Sequence, residues 1–553
     1  MSPIQSSAHR AENQSPPFSG HNAFRSDPLL KDIAADMPRG LRADFETVGK
    51  FVSSIEAQDL ARIANRSVPE LRTHDGSGNR IDQVDFHPSW HALMRRSVSI
   101  GLQGSVWEGR REEKGFAHQA RGIRFYLTAG LECGHLCPLT MTNASIAAIM
   151  AAPRIEKSWA PQVVSRRYDS SHRPAMQKTG VTIGMGMTEK QGGTDVRANE
   201  SRAVRAGEGV YRLEGHKWFL SAPMSDAFVM LAKTGRGGEG EALSCFLVPR
   251  ILEDGTLNGL RLQRLKDKLG NRSNASSEVE FSDTYGFLLG GEGDGIRTIL
   301  DMVTLTRLDC ALASAGMMRA SLAEAVHHCR HRRVFGELLI DQSLMSRVLA
   351  DLALDVAAAT ALSLRLARAF DKARDDPAEA AIARLMTPVV KYWVCKIAPS
   401  VIYEVMECMG GNGYVEDRAL ARHYREAPVN AIWEGSGNVM ALDVLRVLTR
   451  GKELCEVALQ SIQKDLGAAG PKTLDVLRAC MAVAESDEGA GRLLTEQLAL
   501  AAAAAELTRL GAGHVAEAFV ETRLGGAWRA TYGMLDSRFN ARQIVDLLYP
   551  PAS

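Results

Sequence analysis

A chain of 553 residues is long for one core, and at about 150 residues per domain it implies roughly three or four units, which excludes a small disulfide- or metal-stapled scaffold. The 66 Lys and Arg nearly cancel the 65 Asp and Glu, so the net charge of +1 excludes a strong whole-molecule pull on nucleic acid. The longest wholly apolar stretch near the C-terminus, Leu498 to Ala505, is far short of the roughly 20 residues that cross a bilayer.

The first twenty residues lack the apolar core of a secretory signal, so a cytoplasmic location is expected. Residues 1 to about 40 are rich in Ser, Pro, Gln and Gly, which predicts a flexible tail or an arm laid on a partner. Apolar positions then recur at helical spacing over 41–180, punctuated by Pro138 and Pro153. Within this stretch Cys133, His135 and Cys137 are closely spaced, but no second pair of ligands stands nearby, so they read as core residues and no metal site is expected. The nine cysteines are an odd, scattered set, which predicts free thiols.

Over 181–290 the pattern changes to short β-rich runs (VTIGMGM, GVYRLEGHKWFLS, AFVMLA, LSCFLVP, SSEVEF) separated by Gly, Asp and Asn, which predicts a compact antiparallel β unit. Helical periodicity returns over 291–450, with Met345, Leu349, Leu352 and Val356 marking one buried face. Residues 451–553 read as an alanine-rich helical extension, with ten Lys and Arg against thirteen Asp and Glu. No Gly-x-Gly-x-x-Gly follows a strand and opens a helix, so a Rossmann domain is not supported. The fold class is α+β, with the strands segregated in the middle of the chain.

Two segments in the β unit have chemistry. Met187-Thr188-Glu189-Lys190-Gln191-Gly192-Gly193-Thr194-Asp195 sets hydroxyls beside two glycines, where backbone N–H groups can approach a polar ring edge or a phosphate. Trp218-Phe219-Leu220-Ser221 ends a strand with a flat ring next to a hydroxyl, a combination that could wall an isoalloxazine.

Together these segments resemble those of acyl-CoA dehydrogenases, in which a Thr-Glu-Pro-x-Ala-Gly-Ser-Asp segment and a Trp-Ile-Thr segment bind flavin between a helical domain and a middle β domain. The resemblance implies that Met187, Thr188, Gly193, Thr194, Trp218, Leu220 and Ser221 bind FAD. Arg332-Arg333-Val334-Phe335-Gly336, followed by Gln342, is similar to the family's Arg-x-x-Phe-Gly run, where arginine reaches the pyrophosphate of an FAD held by a neighbouring subunit; a planar guanidinium suits phosphate oxygens. Glu407-Cys408-Met409-Gly410-Gly411-Asn412-Gly413-Tyr414 is similar to the glycine-rich segment on the adenosine of that FAD, with Glu407 in place of the usual glutamine and Gly410 and Gly411 in register. Ile432-Trp433-Glu434-Gly435-Ser436-Gly437-Asn438 resembles Ile-Tyr-Glu-Gly-Thr-x-x-Gln, which implies Glu434 as the catalytic base, with Trp433, Gly435, Ser436 and Asn438 at the cofactor. Some members place the base on an earlier helix instead. At the corresponding position this chain has Thr306, beside Arg307, and Asp309 reads as the ion-pair partner of Arg307.

Lys190 in place of the family's proline, the blocks RLKDKLGNRSNASSEVEF and IWEGSGNVMALDVLRVL, and the C-terminal extension resemble the AidB-type alkylation-response flavoproteins of this family. That resemblance implies an acyl-CoA dehydrogenase-like fold, an acyl-CoA substrate with weak turnover of the isovaleryl-CoA kind, a homotetramer, and double-stranded DNA bound through residues 451–553. Arg523, Arg529, Arg538 and Arg542 are the candidate DNA contacts, although the extension is formally acidic. A second basic group, Arg261, Arg264, Lys266, Lys268 and Arg272, could serve subunit contacts or CoA phosphates. The alternative is an ordinary metabolic acyl-CoA dehydrogenase that binds no DNA.

Overall fold

The computed structural model describes residues 12–235, 241–525 and 538–551. The N-terminal unit comprises α1 (Pro28–Ile33), α2 (Arg39–Val52), α3 (Ile55–Arg66), the hairpin β1 (Glu70–His74) and β2 (Arg80–Asp85), then α4 (Pro88–Ser99), α5 (Ala117–Ala129), α6 (Leu136–Ile149) and α7 (Pro153–Val163). Proline at the first turn of α1, α4 and α7 starts each helix where its missing N–H costs nothing.

Two expectations are corrected here. Residues 1–11 of the expected tail lie outside the described residues, and the segment from about Phe18 to 40 is packed rather than flexible: Asp27 caps α1 by accepting from Leu30 N at 3.1 Å, its other oxygen accepts from Arg319 at 2.9 Å, and Leu29 and Leu30 are buried. A few polar anchors and the buried side chains of Phe24, Leu29, Leu30 and Met37 order this segment, too few to stand out in its composition. The helical run over 41–180 is also interrupted by the β1–β2 hairpin. Asp75 makes its turn by accepting from Ser77 N and Asn79 N, both at 2.8 Å.

The middle unit is a seven-stranded sheet of β3 (Ile183–Gly186), β4 (Arg202–Gly207), β5 (Val210–Ser221), β6 (Ala227–Thr234), β7 (Ala242–Pro249), β8 (Leu260–Leu265) and β9 (Ser276–Leu289), in the order β3-β5-β4-β6-β7-β9-β8. β5 also pairs with β9, so the sheet curls onto itself. Most pairings are antiparallel, but β3 lies parallel to β6 over Ile183–Gly186, so the unit is mixed. β6 and β7 are buried on both faces, which explains their near-continuous apolar runs.

The following helices are α8 (Gly295–His331), a small hairpin β10 (Arg333–Val334) and β11 (Glu337–Leu338), α9 (Ser343–Lys372), α10 (Pro377–Cys408), α11 (Gly411–Tyr414), α12 (Ala419–Asn430) and α13 (Gly437–Arg450). Leu349, Leu352 and Val356 are buried on α9 as their spacing predicts. The extension adds α14 (Lys452–Leu466), α15 (Gly470–Ser486), α16 (Gly491–Arg509), α17 (Gly513–Phe519) and α18 (Ala541–Leu548). α16 packs on α9, α10 and α14, so one apolar core runs from the N-terminal helices through the bundle into the extension. Among the described residues, no helix is long and apolar enough to cross a membrane.

Candidate active site

Glu434 sits in the turn between α12 and α13, and its backbone is left-handed (φ 58°), a conformation a non-glycine residue keeps only where its surroundings hold it. Three neighbours do so. Thr306 Oγ1 on α8 donates to one carboxylate oxygen of Glu434 at 2.8 Å, Arg307 Nε donates to its carbonyl at 3.0 Å, and the buried Lys391 ammonium on α10 donates to the carbonyl of Gly435. Arg307 is itself tied to Asp443 at 2.9 Å, which also binds Arg384 at 2.9 Å. Gly435 is left-handed too (φ 100°), and a Cβ there would fall 2.6 Å from Met440 Cε, so the turn needs glycine at that point. Burial raises the Glu434 pKa above the ordinary glutamate value, against the opposing Thr306 hydrogen bond and the nearby Arg307 and Lys391 charges.

In the β unit, Trp218 N donates to Thr188 O at 2.9 Å, and Met185 pairs with Ser221, so the two sequence segments lie side by side. Gly193 packs onto Thr188, whose Oγ1 would be 2.4 Å from an added Cβ. Below them, Glu189 and Lys217 form an ion pair at 2.6 Å with both side chains fully buried. Burial by itself would raise the Glu189 pKa, but the Lys217 ammonium and the hydrogen bonds from Lys217, Ser201 and Gln191 hold it at about 2. The same carboxylate accepts from Glu200 N at 2.6 Å, which stitches the far end of the loop to the sheet. On Trp218, the Lys266 ammonium lies 3.4 Å from the ring centroid, a cation–π contact that braces the indole.

Contacts at the end of the sheet join it to α12, the helix before the Glu434 turn. Ser221 pairs with Ser276, and Ser276 Oγ accepts from Lys268 Nζ at 3.0 Å. Burial of Lys268 lowers its pKa to about 8. The strand-end loop is fastened to α12 by Asn271, whose N and Nδ2 both donate to Glu426, the latter at 2.7 Å. Glu426 is buried, and desolvation pushes its pKa up to about 7. Met187, Thr188, Gly193, Thr194, Trp218, Leu220 and Ser221 thus belong to the loop after β3 and to β5, and Trp433, Glu434, Gly435, Ser436 and Asn438 to the turn that leads from α12 into the first residues of α13.

Arg332, Phe335, Gln342, Glu407, Gly410 and Gly411 are elsewhere. Thr306 and Arg332 are 26 residues apart along α8 and its end, or about 39 Å at 1.5 Å per residue. The group is coherent at that remote end. Gln342 Nε2 donates to Val334 O at 2.8 Å, Phe335 is 96% exposed, Arg332 Nη1 donates to Asn13 O at 2.7 Å, and Asn412 donates to Gln14 at 3.3 Å. Asn13 and Gln14, which bridge the two segments, carried no sequence signal.

Several sequence expectations change partners. Asp309 does not pair with Arg307: it holds Arg121 of α5 bidentately at 2.7 and 2.8 Å and accepts from Thr140 at 2.8 Å. Residues two apart on a helix point in different directions. In the second basic group, Arg264 and Lys266 share Glu278, at 2.7 and 2.6 Å. His135 is held between Glu132 at 2.6 Å and Ser97 at 2.9 Å, and Cys133 donates to Ala129 O at 3.3 Å. A further feature was not visible in the sequence: Arg492 of α16 and Lys396 of α10 lie 3.0 and 3.3 Å from where a Cβ of Gly437 would sit, so two cations flank the first turn of α13.

A desolvated glutamate on a turn of a helical bundle, joined to a β unit that lies between helical units before and after it in the chain, defines an acyl-CoA dehydrogenase architecture. Comparison with known proteins agrees. Residues 13–170 match the adaptive response protein AidB N-terminal domain, 184–284 the acyl-CoA dehydrogenase middle domain and 293–449 the acyl-CoA dehydrogenase C-terminal domain. The chain is 44% identical over 518 residues to AidB of Escherichia coli (strain K12), covering 93% of this chain and 94% of that one. It is 33% identical over 454 residues to acyl-CoA dehydrogenase family member 11 of Caenorhabditis elegans, covering 78% and 71%. The crystal structure of Caenorhabditis elegans ACDH-11 in complex with C11-CoA superposes with a TM-score of 0.84 at 25% identity, covering 92% of each chain. The chain belongs to the acyl-CoA dehydrogenase family, in the group of AidB. Members of this family are FAD-dependent oxidoreductases.

Proposed function

We propose that the chain dehydrogenates acyl-CoA thioesters between Cα and Cβ, with Glu434 as the base. The observation that carries this reading is the Glu434 carboxylate, desolvated and aimed by Thr306. A glutamate of ordinary pKa, about 4.3, is a poor match for an α-proton. Burial raises its proton affinity toward the task. In the step, the α-proton passes to Glu434, the Cα–H electron pair becomes the new C=C bond, and hydride leaves Cβ. FAD supplies the hydride acceptor when bound.

The residues present fit that cofactor. Thr188, Gly193, Thr194, Ser221 and the Trp218 face offer donors and a flat wall to an isoalloxazine, while Arg332, Phe335, Gln342, Glu407, Gly410 and Gly411 suit the dinucleotide of a second subunit. Their separation from Glu434 supports a working unit of at least two subunits, and a tetramer accords with it. Ser436 caps α13 without a side-chain bond to its first turn, and with Arg492 and Lys396 alongside, this positive helix end suits a diphosphate. Replacing Lys396 and Arg492 together by methionine is expected to weaken FAD binding at least tenfold, read as fluorescence quenching when apoprotein is titrated with FAD. An unchanged affinity would remove both residues from the site.

For the substrate, an acyl-CoA is supported by the C11-CoA complex of the structural neighbour. The test is anaerobic titration with a series of straight and branched acyl-CoAs, isovaleryl-CoA included. At least one is expected to bleach the flavin bands, and a spectrum indifferent to all of them would overturn the reading.

DNA binding through residues 451–553 in an alkylation response draws less support. Arg523 is held by Asp351 at 2.6 Å and Asp355 at 2.9 Å, Arg538 by Glu521 at 2.5 Å, and Arg542 by Asp341 at 2.6 Å and Asp546 at 2.8 Å; Arg529 lies outside the described residues. Arginines committed to carboxylates release few phosphate counter-ions. Arg523→Ala is therefore expected to act on stability: it strips the guanidinium from the buried Asp351 and the half-buried Asp355, at a cost of about 3–5 kcal/mol. Denaturant unfolding of the variant checks this, and a stable variant that had instead lost affinity for duplex DNA would restore the DNA reading.

A further inference from the structure

A cavity of about 450 Å³ lies under the N-terminal segment, bounded by residues 15–27, the start of α3, the end of α5, the second half of α8 and the start of α12. It is not the flavin cleft. Thr306, which holds Glu434, and Ala320, which lines the cavity, are fourteen residues apart on α8, or about 21 Å. Between them α5 and α8 touch closely: a Cβ on Gly316 would fall 2.2 Å from Tyr126 O, and one on Gly130 would fall 2.9 Å from Ala320 Cβ. None of Thr306, Arg307, Lys391 or Glu434 lines the cavity.

Its walls are of two kinds. Phe18, Val52, Ile55, Leu127 and Leu131 give an apolar side, and Arg62, Arg319, Arg418 and Arg422 a cationic one, with five carboxylates interspersed. Three of the arginines are neutralised, Arg62 by Asp59 at 3.0 Å, Arg319 by Asp27 at 2.9 Å and Arg418 by Glu324 at 3.0 Å. Arg422 makes no ion pair among the described residues. It donates to Leu131 O at 2.8 Å, while its Nε has no partner. Desolvation lowers its pKa, against the opposing charges of Glu132, Glu426 and Glu324, which act on it from beyond ion-pair distance. Ala419, one turn before Arg422 and on the same face of α12, also lines the cavity, and the first turn of α12 has no side-chain cap. The positive end of a helix and an arginine whose Nε is unpartnered thus line a space of the size that small ligands occupy.

We propose that this cavity is a second binding site, for a small amphipath whose anionic head, a carboxylate or a phosphate, pairs with Arg422 at the start of α12 while its apolar body lies along Phe18, Ile55 and Leu131. The site is independent of the flavin chemistry. Its occupant also contacts the N-terminal segment, which forms one wall of the cavity.

Isothermal titration of the flavin-loaded, full-length protein with decanoate tests it, in the presence of a saturating non-reacting thioether analogue of an acyl-CoA to block the flavin cleft. Expected are one site per chain that persists with the analogue bound, at least tenfold weaker binding in Arg422→Met, and loss of binding in Ala323→Phe, which fills the cavity. A parallel titration with decyl phosphate decides the head group, and tighter binding of either probe under these conditions supports the site. Displacement of decanoate by the analogue, wild-type affinity in Ala323→Phe, or no binding of either probe at millimolar concentration would overturn it. Ala323→Phe leaves every charge in place, so it decides the matter even if Arg422→Met fails to fold.

Discussion

Glu434→Gln is expected to slow flavin reduction by an acyl-CoA at least about a hundredfold, the lower end of what a positioned base contributes. Flavin content should be unchanged. The amide keeps an acceptor for Thr306 Oγ1, and the backbone bonds from Arg307 and Lys391 do not involve the side chain. Anaerobic stopped-flow spectroscopy separates the two quantities. The pH dependence has a definite sign. Only the ionised carboxylate accepts the α-proton, so the reduction rate should rise with pH through the Glu434 pKa, and burial places that limb above the ordinary glutamate range. The Thr306 hydroxyl donates to the charged form and so opposes the shift. Thr306→Val should therefore move the limb to still higher pH. A hydrogen bond to a charged group is worth about 1.5–3 kcal/mol, which at 1.36 kcal/mol per unit corresponds to about one to two pH units. A limb that stays put in Thr306→Val would show that another group titrates, and wild-type reduction rates in Glu434→Gln would take the base role from this residue.

The parts of this site that the sequence reveals are those written in one contiguous string. Glu434 and Gly435, and the Met187–Asp195 loop, each occupy a single turn whose conformation is local, so residue type and order suffice. What escapes is chemistry assembled from distant segments. Lys391 is 44 residues from Gly435 and reads as one more charge on a long helix, yet its buried ammonium holds the base-bearing turn. Asp309 was assigned to Arg307 because they are neighbours in sequence, whereas α8 turns them apart and delivers Asp309 to Arg121, 188 residues away. The N-terminal segment misled in another way: low hydrophobicity implied disorder, but Asp27 and Arg319 fasten it to α8. Arg523 belongs to the same class. A cluster of arginines in an acidic extension reads as a surface, and only the fold shows that Asp351 and Asp355 of α9 claim it. The architecture was legible for the opposite reason, since the change from helical to strand periodicity and back is repeated over many residues and no single contact decides it.

Lys217→Met is expected to be the most destabilising single change near the cofactor cleft. It removes the ammonium from a pair in which both side chains are fully buried, leaving the Glu189 carboxylate charged in the interior and Leu231 O without the donor it has at 2.8 Å. Breaking such a pair costs about 3–5 kcal/mol. The loss should also reach the cofactor, because Glu189 ties together Ser201 Oγ at 2.6 Å, Glu200 N at 2.6 Å and the turn that carries Thr188 and Gly193. Denaturant unfolding and the ratio of flavin to protein after gel filtration should fall together. The double variant Glu189→Gln with Lys217→Met distinguishes charge from connectivity. It removes both charges, yet the amide oxygen still accepts from Glu200 N, so most of the lost stability should return. If the double variant is no more stable than Lys217→Met, the stranded carboxylate is not the source of the damage. If stability returns and flavin does not, the ammonium itself, and not only the loop it anchors, is required for the cofactor to stay.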